Sequence, residues 1–290
     1  MAKPVAGWRP VAALLAGSSM WGVVWYPMRV LEAHGLAGPW LTAYVYGAAT
    51  LGGLFLARGE LRWIGRRPWL LLGLGLSAGW TNLAFVLAIL DGNIMRVLLL
   101  FYLSPVWAVV LGWWVLKEKV STGSIAVLII ALLGAALMLW RSGSGLPLPR
   151  DPTDWLALSS GFAFAVSNLF VRYGSEIPVS LKSLSAWIGV VVLATLVVGI
   201  QGIAVPSVTT RLVLGVLALG WFGTVVMTML VQYGVSHMPV HRSAIILLFE
   251  LVAGAISQQL LTNETMSALE WGGGVLVVAA ALLSAWREKT

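Results

Sequence analysis

Glu250 interrupts an apolar run: SAIILLF precedes it and LVAGAIS follows it. No other acidic residue stands well inside a long apolar stretch of the chain. A carboxylate near the centre of a hydrocarbon layer costs about 2.5–3.5 kcal/mol, so a partner, a wet cavity or a bound proton must compensate it. Three roles fit such a group: an exchangeable proton carrier, a counter-ion for a ligand ammonium, or a protonated strut hydrogen-bonded between helices.

Indole rings gather in the first apolar stretch. Ser18, Trp21, Trp25 and Met28 recur at i, i+3, i+7 and i+10, which stacks them on one helical face. Trp21 and Trp25 lie too deep to be interface anchors. Either they wall a cavity and offer ring faces to a ligand cation, or they pack against neighbouring helices. Residues 69–90 add Trp80, Thr81, Asn82 and Phe85, and residues 211–235 carry Thr224, Thr228 and Gln232 at i, i+4 and i+8. A polar stripe on a membrane helix must turn toward protein or water; hydrogen bonding between helices and ligand binding are both open. Phe164 and Asn168 mirror Trp21 and Trp25 in the second half of the chain, and Tyr44, Tyr46, Tyr102 and Tyr233 are further phenols. The ligand-contacting residues expected are Trp21, Trp25, Trp80, Asn82, Phe85, Tyr102, Phe164, Asn168, Thr224, Thr228, Gln232 and Glu250.

Several other chemistries find no support. The chain has no cysteine, which removes disulfides, thiol nucleophiles and cysteine metal sites. The HMPVH at 237–241 lacks the glutamate of a zinc-protease helix, and Pro239 spoils its helical spacing, so a helix start and no metal is expected. No glycine-rich loop with lysine is present, and no catalytic dyad lies at membrane depth. Neither enzyme activity nor a cofactor is expected.

The elements that must position these residues are membrane helices. Of 290 residues, 59% are hydrophobic and 10% charged, where a soluble domain carries roughly 25% charged residues. Mean hydropathy is +0.92. Ten apolar stretches run over 10–30, 37–57, 69–90, 94–116, 122–140, 154–173, 181–201, 211–235, 240–261 and 267–286, each near the ~20 residues a spanning helix needs. Pro105 is expected to kink the fourth stretch and free a carbonyl. Gly75, Gly79 and the glycines at 272–274 allow helices to approach closely. Trp8, Trp40, Trp69, Trp140, Trp155, Trp271 and Trp286 fall at stretch ends, where indoles anchor at headgroup level.

The gaps between stretches are short and hold most of the charge, as in RGELRWIGRRP at 58–68, KEK at 117–119 and RSGSGLPLPRDP at 141–152. A net charge of +7 placed there fits anionic lipid headgroups, and no nucleic-acid partner is expected. With the N-terminus in the cytoplasm, thirteen Lys and Arg fall inside and five outside. Both termini are therefore expected to be cytoplasmic in a bacterial inner membrane. The first stretch lacks a small-residue cleavage site, so a removable signal peptide is not expected.

The chain also repeats itself. Glu118 and Glu264, Ser121 and Ser267, Trp140 and Trp286, Arg141 and Arg287, and Arg96 and Arg242 are each 146 residues apart. Trp21 and Phe164, Trp25 and Asn168, and Arg29 and Arg172 are each 143 apart. Each half holds five spans, an odd number, so the second half must cross the membrane inverted. Residues 1–141 and 154–290 are read as the two copies, with 142–153 as the connection. Inverted repeats mark alternating-access transporters, whose site lies near midplane where the halves meet.

The segment YLSPVWAVVLGWWVLKEKVSTGSIAVLIIALLGAALMLW at 102–140 has Pro in its fourth helix, Glu just after it and a small-residue helix beyond. In this it resembles the EamA-type members of the drug/metabolite transporter superfamily, a likeness that extends over essentially the whole chain. The second copy, 248–286, keeps Glu264 but has Leu251 in place of Pro105 and Glu250 in place of Ser104. The first helix, SSMWGVVWYPMR, is most similar to the YddG-type exporters of aromatic and other neutral amino acids. The resemblance implies an all-α fold of ten helices in two inverted five-helix repeats and a cavity between spans 1, 3, 4, 6, 8 and 9. It also implies amino-acid export across the inner membrane; coupling to protons is left open and hangs on the proton-carrier reading of Glu250. Efflux of apolar or cationic drugs is the alternative, and an intramembrane enzyme stands further off. Mid-span Lys and Arg are missing from the apolar stretches, which argues against phosphate-bearing cargo.

Overall fold

The computed structural model describes residues 8–36, 38–91, 94–140, 149–207, 209–262 and 266–286, with backbone alone at 89–91 and 94–95. Among the described residues the regular structure is helical throughout. Ten helices are long and apolar enough to span a membrane: α1 (Trp8–Ala33), α2 (Gly38–Ala57), α3 (Pro68–Ala88), α4 (Arg96–Trp114), α5 (Thr122–Leu139), α6 (Pro152–Tyr173), α7 (Val179–Gln201), α8 (Thr210–His237), α9 (Val240–Leu261) and α10 (Ala268–Trp286). In hydrocarbon only a helix satisfies its own backbone within one segment, so leucine-, alanine- and valine-rich runs have no other course. Local signals set the ends. Asp151 accepts the Asp154 N–H at 2.9 Å to cap α6, Ser121 and Thr209 do the same for α5 and α8, and Gly202 closes α7 with φ +62°. Trp8, Trp69, Trp140, Trp155, Trp271 and Trp286 are exposed at helix ends, as interface anchors must be.

The repeat is written into the packing. α1 lies on α8 and α9, and α6 lies on α3 and α4; adding five to each number, cyclically, turns one set into the other. The pair α3 and α7 exchanges likewise with α2 and α8, while α2 with α7, α4 with α9 and α5 with α10 are self-paired. Small residues let these backbones close. A Cβ built on Gly189 of α7 would fall on the backbone oxygen of Gly75 in α3, and Gly273 of α10 faces Gly134 of α5. Repeat-related arginines have separate duties: Arg96 pairs with Asp154 at 2.6 Å, and Arg242 donates to the Ser284 carbonyl at 2.9 Å. Lys3, Arg141, Glu264, Arg287 and Lys289, and the connecting loop as far as residue 148, lie outside the described residues.

Candidate functional site

The fourth helix of each half breaks at the same place. α4 divides into Ile94–Phe101 and Ser104–Trp114, and α9 into Val240–Leu247 and Phe249–Leu261. Both breaks are single tight turns with i→i+3 bonds. Leu103 N–H reaches Leu100 O at 3.3 Å and Val106 N–H reaches Leu103 O at 2.9 Å. Leu248 N–H reaches Ile245 O at 3.2 Å and Leu251 N–H reaches Leu248 O at 3.0 Å. In α4 the cause is Pro105, which has no N–H for the Phe101 carbonyl; that carbonyl lies against α6, 2.6 Å from a Cβ built on Gly161. In α9 the same turn forms at Leu251 without proline.

The two breaks meet. Tyr102, at the α4 break, hydrogen-bonds through its hydroxyl with Glu250, which opens the second half-helix of α9. A carboxylate in the first turn of a half-helix also faces the positive end of its dipole. Tyr46 of α2 lies within the electrostatic reach of Glu250 and donates to Asn82 Oδ1 of α3 at 3.1 Å. The Asn82 amide nitrogen is fixed on the Ala78 carbonyl at 3.0 Å. Aromatic rings wall the group: Phe101 stands 4.9 Å from Phe85, 5.2 Å from Tyr102 and 5.6 Å from Phe164. Trp21 bridges the cluster of Tyr46 and Trp187 and the cluster of Phe164, Val171 and Ile246. Trp21, Asn82, Phe85, Phe101, Phe164 and Glu250 are packed between helices, yet each is only half-buried. Buried Asn168 makes no hydrogen bond through its amide among the described residues.

The sequence profile of the EamA-like transporter family matches residues 8–140 and 152–286. The chain belongs to this family. A protein of Archaeoglobus fulgidus described as an uncharacterized transporter is 26% identical over 237 residues, 79% of this chain and 80% of that one. A solved structure described only as "Crystal structure of protein" shares the fold with a TM-score of 0.75 at 18% identity, covering 97% of this chain and 99% of that chain. The chain is thus an EamA-like, multi-pass membrane transporter.

Six of the twelve residues expected at the site of this EamA-like transporter converge on the paired breaks: Trp21, Asn82, Phe85, Tyr102, Phe164 and Glu250. Asn168 lies one helical turn further along α6, and Thr224 Oγ1 and Gln232 Oε1 of α8 are buried without a hydrogen-bond partner. Thr228 has a structural partner, accepting the Trp187 indole N–H at 3.2 Å. Trp25 also departs from a pure cavity role. Its N–H donates to Ser257 Oγ at 2.9 Å, which pins α1 to the second half-helix of α9.

Trp80 stands apart from the other expected residues. It is 41% exposed and continues the outward stripe of Trp69, Leu72 and Leu76 on α3, with its N–H on Ser159 at 3.2 Å. The residues on either side of it, Gly79 and Thr81, are buried. Tyr46 and Phe101 are the residues missing from the expected set. Tyr46 carried only the signal of a phenol at depth, and Phe101 only its place four residues before Pro105. Of the two histidines of the HMPVH segment, His237 Nδ1 lies 2.7 Å from the Tyr233 carbonyl and His241 turns toward Glu118. Two surface grooves, about 410 Å³ between α9 and α10 and about 450 Å³ between α2 and α8, have apolar linings that suit lipid chains and do not border Glu250.

Proposed function

We propose that this transporter exports neutral and aromatic amino acids across the bacterial inner membrane by alternating access, with both termini in the cytoplasm. The observation that carries the reading is the meeting of two broken helices at a carboxyl ringed by accessible aromatic faces. Glu250 receives the substrate ammonium or the coupling proton. Trp21, Phe85, Phe101 and Phe164 receive an apolar side chain, and the unpartnered amide of Asn168 is a neutral donor for the substrate carboxylate. Residues 1–141 and 154–290 act as the two inverted units around this site, joined by 142–153.

Counterflow in liposomes tests the cargo. Vesicles preloaded with unlabelled tryptophan, phenylalanine, threonine or methionine are expected to take up the labelled amino acid. Exchange of hydrophobic amines with no exchange of amino acids would replace this reading by cation efflux. That second reading draws on the neutral character of every named neighbour of Glu250. Trp21→Ala is expected to lower exchange at least several-fold at equal expression, whereas Trp271→Ala, an interface anchor 48% exposed, leaves it near wild type. Equal losses would assign Trp21 to packing alone. The cysteine-free chain also permits a clean topology test. Arg62→Cys and Lys289→Cys should resist impermeant thiol reagents in intact cells, and Leu148→Cys should react. Labelling of Lys289→Cys from outside would reverse the assigned orientation.

A further inference from the structure

The end of the bundle formed by the α4–α5, α6–α7 and α8–α9 connections is sealed in two layers. The deeper layer is apolar, with Ala108 and Leu111 of α4, Ala165 and Leu169 of α6, and Val240 and Ala244 of α9 in one buried cluster. Over it lies a charged layer centred on Glu118. Its carboxylate accepts the Val240 N–H at 3.0 Å, stands 3.3 Å from His241 Nδ1 and lies 3.6 Å from Arg172 Nε. Arg172 Nη1 donates to the Ser236 carbonyl in the last turn of α8 at 2.7 Å. Lys182, wholly buried, donates to the Val171 and Gly174 carbonyls at the end of α6 and to Ser236 Oγ. The anion thus sits on a helix start and the cations on helix ends, each where the helix dipole favours it.

The chain places Glu118 deliberately. After α4 ends, Lys117 turns left-handed with φ +55°, and the Glu118 N–H returns to the Gly112 carbonyl at 3.0 Å. The side chain folds back over the end of α4, where a Cβ on Gly112 would stand 3.0 Å from Glu118 Oε2. Glycine leaves the room the carboxylate needs. At the opposite end the repeat-mate of Arg172 behaves differently: Arg29 is exposed and lies over the ring of Trp25 on its own helix, 5.4 Å from the centroid. One end of the pathway is therefore latched by an arginine whose counterpart at the other end is not so engaged.

We infer that Glu118 is the positioning residue of a gate at this end: its carboxylate holds the first half-helix of α9 against α4 and α6. When the contact releases, that half-helix swings about the turn at Leu248, parts Ala165 from Ala244 and opens Glu250 to this side. The inference rests on the alternating-access part of the proposed function, its test also on the proposed cytoplasmic placing of this end, and neither makes use of the cargo.

A single cysteine at position 165, Ala165→Cys, reports the apolar layer. In inside-out vesicles an impermeant maleimide is expected to label it slowly in the otherwise native chain. Glu118→Gln is expected to speed labelling roughly fivefold or more, the lower end of the usual coupling between two conformational states. Gly112→Ala, which displaces the carboxylate and removes no charge, is expected to do the same. Ala131→Cys, buried between α5 and α10, is the control and should keep its rate. Equal acceleration at positions 131 and 165 would mean a loosened fold and overturn the gate, as would an unchanged rate at 165. The readout needs no substrate, so failure of the amino-acid assignment leaves it intact. An alternating-access failure shows separately, as wild-type Ala165→Cys labelling that no transported compound alters.

Discussion

Glu250→Gln is expected to abolish proton-driven accumulation in proteoliposomes, down to the level of protein-free vesicles, while counterflow exchange persists. The amide keeps the shape of the side chain and an oxygen for the Tyr102 hydroxyl, but it cannot take up and release a proton. A carboxyl that instead holds the substrate ammonium gives a different pattern: exchange falls together with driven uptake, and an uncharged analogue suffers less than the amino acid. A merely structural carboxyl gives a third: yield and thermal stability drop, and the surviving protein transports normally. Tyr102→Phe separates these further, because it leaves the carboxyl without its partner at a cost of about 1–3 kcal/mol and removes no titrating group from Glu250. A functional Glu250 is abandoned if the Gln variant equals wild type in driven uptake and in exchange between about pH 5 and 8, the range in which proton-linked switching is sought.

How much of this was legible depended on whether polarity carried information. Ten spans, their ends and the Trp anchors follow from hydropathy, because a helix must match the bilayer whatever it packs against. Glu250 stood out because a carboxyl conflicts with its surroundings, and the α4 break announced itself through Pro105. The α9 break did not: Leu251 has an N–H and merely uses it for an i→i+3 bond. The place of Trp80 was hidden for a related reason. In lipid the outward stripe of Trp69, Leu72, Leu76 and Trp80 is as apolar as a buried face, so periodicity alone cannot say which side of α3 looks inward. Lys182 stands near the start of the seventh apolar stretch, yet it is enclosed and caps α6. Only tertiary contacts could reveal that. The same holds for Glu118, whose partners His241 and Arg172 lie far off in the chain.

Asp154→Ala is expected to be the most destabilising single substitution of a polar residue outside the site. Both carboxylate oxygens accept from Arg96 Nε, at 2.8 and 2.6 Å, and one also accepts the Arg150 N–H at 2.8 Å. The pair is almost enclosed, with side chains 11% and 1% exposed, so solvent screens it little. Removing Asp154 takes from Arg96 its enclosed carboxylate partner, and breaking a buried pair costs about 3–5 kcal/mol. By the usual scaling that lowers the unfolding midpoint on the order of 10 °C. Replacing both partners with apolar residues, Arg96→Met with Asp154→Leu, should recover much of the loss, because the enclosed pair is then removed whole. The adjacent cap adds a pH arm. The Thr153 hydroxyl and the Asp154 N–H bond the Asp151 carboxylate and hold it below its ordinary value. A depressed carboxyl stabilises the fold above its unfolded-state value and loses that contribution as pH falls through the folded one. The midpoint should therefore decline at acid pH, and Asp151→Asn should flatten that part of the decline. An Asp154→Ala midpoint equal to wild type, or a double variant as unstable as the sum of its single changes, would show that the ion pair does not hold α4 to α6.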